Sequence, residues 1–217
     1  MKILPLIICL CLVGVLPATA AKPMLNELIK AGNSNILVRT VRYSPPFYDF
    51  PKSATGKSAL EAGGSSQALL SKFKILDPVF QITDELTNHL IKSYNFVDPS
   101  GKRMLVKSSD PAQIVAEVGI DNGFILDVTN ESWITISEPG DSKNYIIAYE
   151  VKLSLIDAGT KKVIRGGKFK WSSGQGGVGN PYAARAENNA DVFRKELEEA
   201  ATASAEFFIK KTLSEKG

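Results

Sequence analysis

Cysteine is nearly absent from this chain of 217 residues: Cys9 and Cys11 are the only two. Both sit in an apolar run near the N-terminus, so the body of the chain carries no thiol. That excludes disulfides, zinc–thiolate sites and cysteine nucleophiles from the body. Histidine is scarcer, with His89 alone. A hydrolase triad needs a histidine base beside a positioned nucleophile, and no G-x-S-x-G elbow supplies one. Charge of one sign is also lacking. The 26 Lys and Arg residues nearly balance 23 Asp and Glu, for a net charge of +3. Nucleic acid wants a basic stripe, so no nucleic-acid partner is expected. No repeat recurs at a period of ~20–50 residues, and no apolar run reaches the roughly 20 residues of a membrane-spanning helix.

What is present begins at the N-terminus. Lys2 provides a positive charge, Ile3 to Leu16 is an almost unbroken apolar run, and Ala18 and Ala20 offer small residues at the −3 and −1 positions. This reads as a secretory signal peptide over residues 1–20, cleaved after Ala20 or Ala21. The expected address is a bacterial periplasm or the exterior, with no integral membrane span left after cleavage. A lipoprotein cysteine needs a small residue before it, whereas Ile8 precedes Cys9 and Leu10 precedes Cys11. Taking 20 residues from 217 leaves 197, enough for one domain with a real core. We expect a single α+β domain over residues 21–217, close to neutral once Lys2 has left.

Within that domain the apolar spacing alternates between the helical period and the strand period. Lys22 to Asn33 reads as a short amphipathic turn or helix carrying Leu25, Leu28 and Ile29. Asn35 to Tyr43 alternates as a strand. Residues 67–73 form a short helix with Leu69, Leu70 and Phe73 on one side. Asp77-Pro78 has the form of an N-cap followed by proline at the first helical position. It opens a helix to Ser93 whose buried stripe is Val79, Ile82, Leu86 and Leu90. Arg103 to Lys107 is a short strand, and Asp110-Pro111 repeats the capping device before a brief helix to Val118. Gly123 to Asn130 is a strand that Trp133 to Glu138 continues or kinks.

Asn144 to Asp157 is the clearest strand, with Tyr145, Ile147, Tyr149, Val151, Leu153 and Leu155 on one face. Ala158-Gly159-Thr160 turns the chain, and Lys162 to Ser172 returns with Val163, Phe169 and Trp171 sharing a face. Tyr182 to Leu213 is a long closing helix. The order β-α-β-α-β-β-β-α predicts an α+β fold, a mixed, mostly antiparallel sheet with helices packed on one face. Leu86, Leu90, Val151, Leu153, Phe193 and Leu197 are expected in its core.

Two stretches interrupt the regular pattern and are the candidate binding segments, because binding residues concentrate on loops held by a scaffold. Residues 47–66 are expected to form a mobile loop headed by the aromatics Phe47, Tyr48 and Phe50. The loop 173–181 (SGQGGVGNP) carries Gly174, Gly176, Gly177 and Gly179 between a strand and a helix. Backbone N–H groups there can hold an anion or a partner, but the lysine of a nucleotide-binding loop is missing. Phe47, Tyr48, Gly174, Gly176, Gly177 and Gly179 are therefore the candidate binding residues.

His89 has no histidine or cysteine to share a metal with and reads as a surface or half-buried helix residue. No catalytic residue, metal site or cofactor is expected. Asp127 points away from the core face, and no pair of carboxylates is set for glycoside hydrolysis. The strand aromatics Trp133, Tyr145, Tyr149, Phe169 and Trp171 read chiefly as core. Lys161, Lys162, Arg165, Lys168 and Lys170 form the nearest thing to a basic patch, read as a solvated sheet face or as a contact for anionic headgroups.

The hairpin Leu153, Leu155, Ile156, Asp157, Thr160, Lys162 and Val163, followed by a glycine loop and a closing helix, resembles a group of uncharacterised proteobacterial envelope proteins. The element order over residues 67–213 also resembles the penicillin-binding-protein activator lipoproteins and the N-terminal domain of the Tol translocation protein. The lack of body cysteine, the single histidine and the absence of a catalytic motif favour a periplasmic accessory or binding protein that acts through protein–protein contacts with an envelope partner, without catalysis. The alternatives are a carrier of a small apolar or lipidic ligand and a hydrolase of envelope polymers.

Overall fold

The computed structural model describes residues 25–31, 34–45, 47–50, 67–138, 141–174, 179–181, 184 and 187–214. The expected signal peptide lies outside the described residues.

Two long antiparallel strands form the spine: β4 (Phe124–Glu138) and β5 (Asp141–Asp157). The six β5 residues expected to share a face, Tyr145 to Leu155 in steps of two, are all buried. Strict alternation of apolar residues over that length leaves the backbone one stable register. β4 is one strand, and an irregularity between Asn130 and Ser132 lets Glu131 drop out of the ladder. Such a bulge carries the strand on while shifting which residues face the core. Asn130 and Trp133 therefore both lie buried on the same side.

One end of the spine is flanked by β1 (Leu37–Val41), parallel to β4, and then by β3 (Arg103–Leu105), parallel to β1. On the other side β6 (Lys162–Ser172) runs antiparallel to β5. The path is β3-β1-β4-β5-β6. At the far end β2 (Tyr48–Phe50) pairs with β4, and β7 (Asn180–Pro181) pairs with β5. The fold is α+β with a mixed, mostly antiparallel sheet and helices packed on it.

Helix α1 covers Leu25–Ala31 and α2 covers residues 67–73. They join α3 (Val79–Tyr94) and α5 (Asp191–Lys211) on the face that holds the main core. Val79, Ile82, Leu86 and Leu90 of α3 meet Phe193, Leu197, Ala201 and Phe208 of α5 and the β5 stripe in one cluster. Each large apolar side chain so buried contributes about 1.5–3 kcal/mol. The short α4 (Pro111–Val118) lies on the opposite face. Ile114, Val115 and Val118 cluster there with Val38, Ile125 and Ile156, the strand residues that alternate with Leu37, Leu126 and Leu155. Asp110 caps α4 as its sequence predicts, accepting from the Gln113 N–H at 3.0 Å, and Gly119 ends it with φ 73°.

Four local expectations change. Val163 does not share the face of Phe169 and Trp171, because a bulge between Leu155 and Ile156 reverses the register at Ile164. Val163 is left 44% exposed, and Ile164 packs on the main core in its place. The closing helix starts at Asp191 rather than Tyr182, since Asn188, Asn189 and Ala190 all adopt left-handed backbone angles that no α-helix can include. The expected loop 47–66 opens as strand β2, so only its remainder, 51–66, is left outside the described residues. At Asp77-Pro78 the cap is displaced by one residue: Asp77 accepts from the Val79 N–H at 2.8 Å, while Pro78 stands at the cap position.

Candidate functional site

A groove of about 700 Å³ lies over the start of α3 and one side of α5. Its geometry begins where α2 ends. Lys74 takes a left-handed φ of 51°, and the Ile75 N–H bonds back to the Leu70 carbonyl at 2.9 Å. This closes the helix and turns the chain into a short extended link. Along that link side chains alternate: Ile75 points in, Leu76 points out and Asp77 points in. Leu76 is left 73% exposed at the groove, whose apolar lining comes from Ile75, Pro78 and Leu197. Arg194 of α5 clamps the link by donating to the Phe73 carbonyl.

Several of the charged residues lining the groove are engaged with neighbouring groups. Asp84 accepts from Arg39 at 2.8 Å and pairs with Arg103 at 2.6 Å. Arg103 also donates to the Phe80 carbonyl at 3.0 Å and lies over the Phe80 ring. Glu85 accepts from Gln81 at 2.9 Å. These contacts fix the shape of the rim.

Beneath the groove Asp77 is 6% exposed and turned into the fold. It accepts from Asn130 at 2.6 Å and from the Tyr149 hydroxyl at 3.0 Å, besides the Val79 N–H. Burial, and then the Asp77 charge, push the Tyr149 phenol well above its ordinary range. The cluster therefore pins α3 to β4 and β5.

A second buried carboxylate anchors the glycine loop. Glu196 accepts from Tyr145 at 2.5 Å and from Asn180 at 2.9 Å, and Ser173 is a third partner. Ser173 and Asn180 stand at the two ends of that loop, so α5 holds both. Burial pushes the Glu196 carboxyl up against the opposing pull of its three donors.

Of the six residues expected to bind, Phe47, Tyr48, Gly174 and Gly179 lie among the described residues. Phe47 is fully buried, its ring 5.2 Å from Trp133 and 5.5 Å from Phe193, so it is a core residue and not a contact surface. Its apolar ring finds more area against those two aromatics than water offers. Tyr48 is half-buried in β2, opposite Ile134. Gly174 and Gly179 flank the loop where a side chain has no room: a Cβ on Gly174 would fall 2.8 Å from Ile146, and one on Gly179 would overlap the Tyr145 carbonyl oxygen. Both are accounted for by close approach of the backbone. Gly176 and Gly177 lie outside the described residues.

His89 is half-buried on α3, 3.4 Å from the Ser93 hydroxyl, and burial lowers its pKa. It does not line the groove. Asp127 faces away from the main core as expected, yet is buried, paired with Arg42 and accepting from Thr40 at 2.8 Å. Lys168 and Lys170 share one sheet face with Glu131 and Glu150, which pair with them.

Leu76, Arg103 and Arg194 were not legible as site residues. The one available signal was Leu76 itself, a large apolar residue in an extended link directly before a capped helix. Among the described residues no group of three or more His, Cys, Asp or Glu is placed to hold a metal. No helix among them is long and apolar enough to cross a membrane.

No family model matches the chain, and no curated protein matches it. Solved structures show a distant likeness. A protein from Xanthomonas campestris in the DUF330 family model is 13% identical, covers 88% of each chain and has a TM-score of 0.35. A lipoprotein from Neisseria meningitidis is 11% identical over 78% of this chain and 96% of its own, with a TM-score of 0.28. A hypothetical protein from Chlamydia trachomatis is 13% identical over 81% and 98%, with a TM-score of 0.31. At these values the likenesses carry nothing about function.

Proposed function

We propose that this protein is an accessory protein of the bacterial envelope, acting through contact with a protein partner and without catalysis. The observation that carries this reading is Leu76, 73% exposed beside an apolar-floored groove whose rim includes the Asp84–Arg103 ion pair. Apolar centres ringed by polar groups are the usual anatomy of a protein contact, and Leu76 stands at such a place. The leader-like residues 1–20 and the resemblance of the 153–163 hairpin to envelope proteins supply the compartment. The finer resemblance to penicillin-binding-protein activators and to the Tol domain rests on element order alone.

The test is a photo-crosslinking residue placed at Leu76 in intact cells, with Lys161 as the control position. A discrete protein adduct from position 76, absent from position 161 and weakened by Arg194→Ala in a folded protein, is the expected result. Equal or no adducts from the two positions would sink the reading.

A carrier of an apolar or lipidic ligand is the second reading, favoured by the groove volume of about 700 Å³, which falls among those of small-molecule sites. Native mass spectrometry of the exported protein decides it: a retained small-molecule mass favours the carrier.

A further inference from the structure

A separate notch of about 620 Å³ opens at the free side of β6, where the strand meets the C-terminal end of α5. Two adjacent glycines shape it. A Cβ on Gly166 would fall 3.1 Å from the Leu153 carbonyl oxygen, and one on Gly167 would fall 3.2 Å from the Thr212 hydroxyl. Glycine inside a strand is unfavourable and marks a place where something approaches the backbone closely. Here the helix end approaches, and the missing side chains leave the cleft open beside it.

The charged residues lining this notch are all basic, with Glu131 and Glu150 beside Lys168. Lys152, Arg165, Lys168 and Lys211 line it, and no carboxylate does so among the described residues. Lys152 and Lys168 are directly opposed in the β5–β6 ladder. Like charges in that position repel and are destabilising. Glu131 at 2.8 Å and Glu150 at 3.9 Å relieve Lys168, whereas Lys152 and Lys211 have no ion-pair partner among the described residues. A basic cleft with two uncompensated ammonium groups, a repulsive cross-strand pair and the Thr212 hydroxyl beside it favours an anion with several acceptor oxygens. Lysines serve phosphate as movable point charges.

We propose that the notch at Gly166 and Gly167 is an anion site that takes a phosphate-bearing group, held by Lys152, Lys168 and Lys211. The phosphate can come from a phospholipid headgroup or from a soluble phosphate. The site is independent of the groove at Leu76, so either proposal stands if the other fails.

The experiment measures binding of inorganic phosphate by calorimetry, and co-sedimentation with vesicles of phosphatidylglycerol against vesicles of phosphatidylcholine. The parent protein is compared with Lys152→Gln/Lys211→Gln and with Lys170→Gln, a lysine of the same strand outside the notch. Phosphate binding that weakens at least ~10-fold in the double variant, and is unchanged in Lys170→Gln, is the expected result. Loss of sedimentation with phosphatidylglycerol in the same variant identifies a lipid headgroup as the source. Phosphate binding without vesicle binding identifies a soluble phosphate. If neither probe binds the parent, or the double variant binds as the parent does, the proposal is overturned. Should the double variant fail to fold, Lys211→Gln alone, at an exposed helix end, replaces it with an expected loss of ~3-fold or more.

Discussion

Tyr145 donates its hydroxyl to Glu196 across 2.5 Å, joining β5 to α5 inside the core. The same carboxylate receives Asn180 and Ser173. One buried acid thus organises a strand, a helix and both ends of the glycine loop. Burying a carboxylate is costly unless it is hydrogen-bonded, which is why three donors converge on it.

The pH dependence of stability follows from that burial. In the folded protein the Glu196 carboxyl is held above its ordinary value of 4.5. Its contribution is therefore present in full below about pH 4.5 and is lost as pH rises through the folded value. Glu196→Gln removes the titration. The stability of this variant relative to the parent should rise from acid towards neutral pH and then level off. Urea unfolding at a series of pH values between about 4 and 8 checks this, and a trend of the opposite sign would refute the assignment.

Asp77 and Tyr149 should behave as a coupled pair. Asp77→Ala leaves Asn130 and Tyr149 without their buried acceptor and is expected to cost on the order of 3 kcal/mol. Tyr149→Phe should cost about 1–2 kcal/mol. A double-mutant cycle should return a coupling of at least ~0.5 kcal/mol. Additive losses would mean that the 3.0 Å contact contributes nothing.

Gly179→Ala should destabilise the protein by about 1–3 kcal/mol, because its Cβ meets a backbone oxygen that cannot rotate away. Guanidinium unfolding measures it. A midpoint equal to that of the parent would show that Gly179 is loop spacing and no more.

His89→Ala should leave the Leu76 crosslink and the phosphate binding unchanged. A general base whose removal matters costs about 10²–10⁴ in rate, and among the described residues His89 meets the Ser93 hydroxyl and the edge of Tyr94. A folded His89→Ala protein that no longer complements a deletion strain would move the hydrolase reading to first place.

What the sequence determined by itself is the periodic part of the molecule. The β5 stripe, the α3 stripe, the Asp110-Pro111 helix start and the six core residues from Leu86 to Leu197 were all legible, because burial of a regular element imposes its period on the chain. The α+β class followed from the order of those elements. Tertiary structure decided what has no period. The bulge at Ile164 turned Val163 outward, and left-handed angles at 188–190 shortened α5. Phe47 went into the core against Phe193, a neighbour 146 residues further along the chain that no local rule could name. The groove and the basic notch arise the same way. Each joins residues far apart in sequence, and only the packing of helices on a particular sheet register brings Leu76 beside Arg194, or Lys152 opposite Lys168.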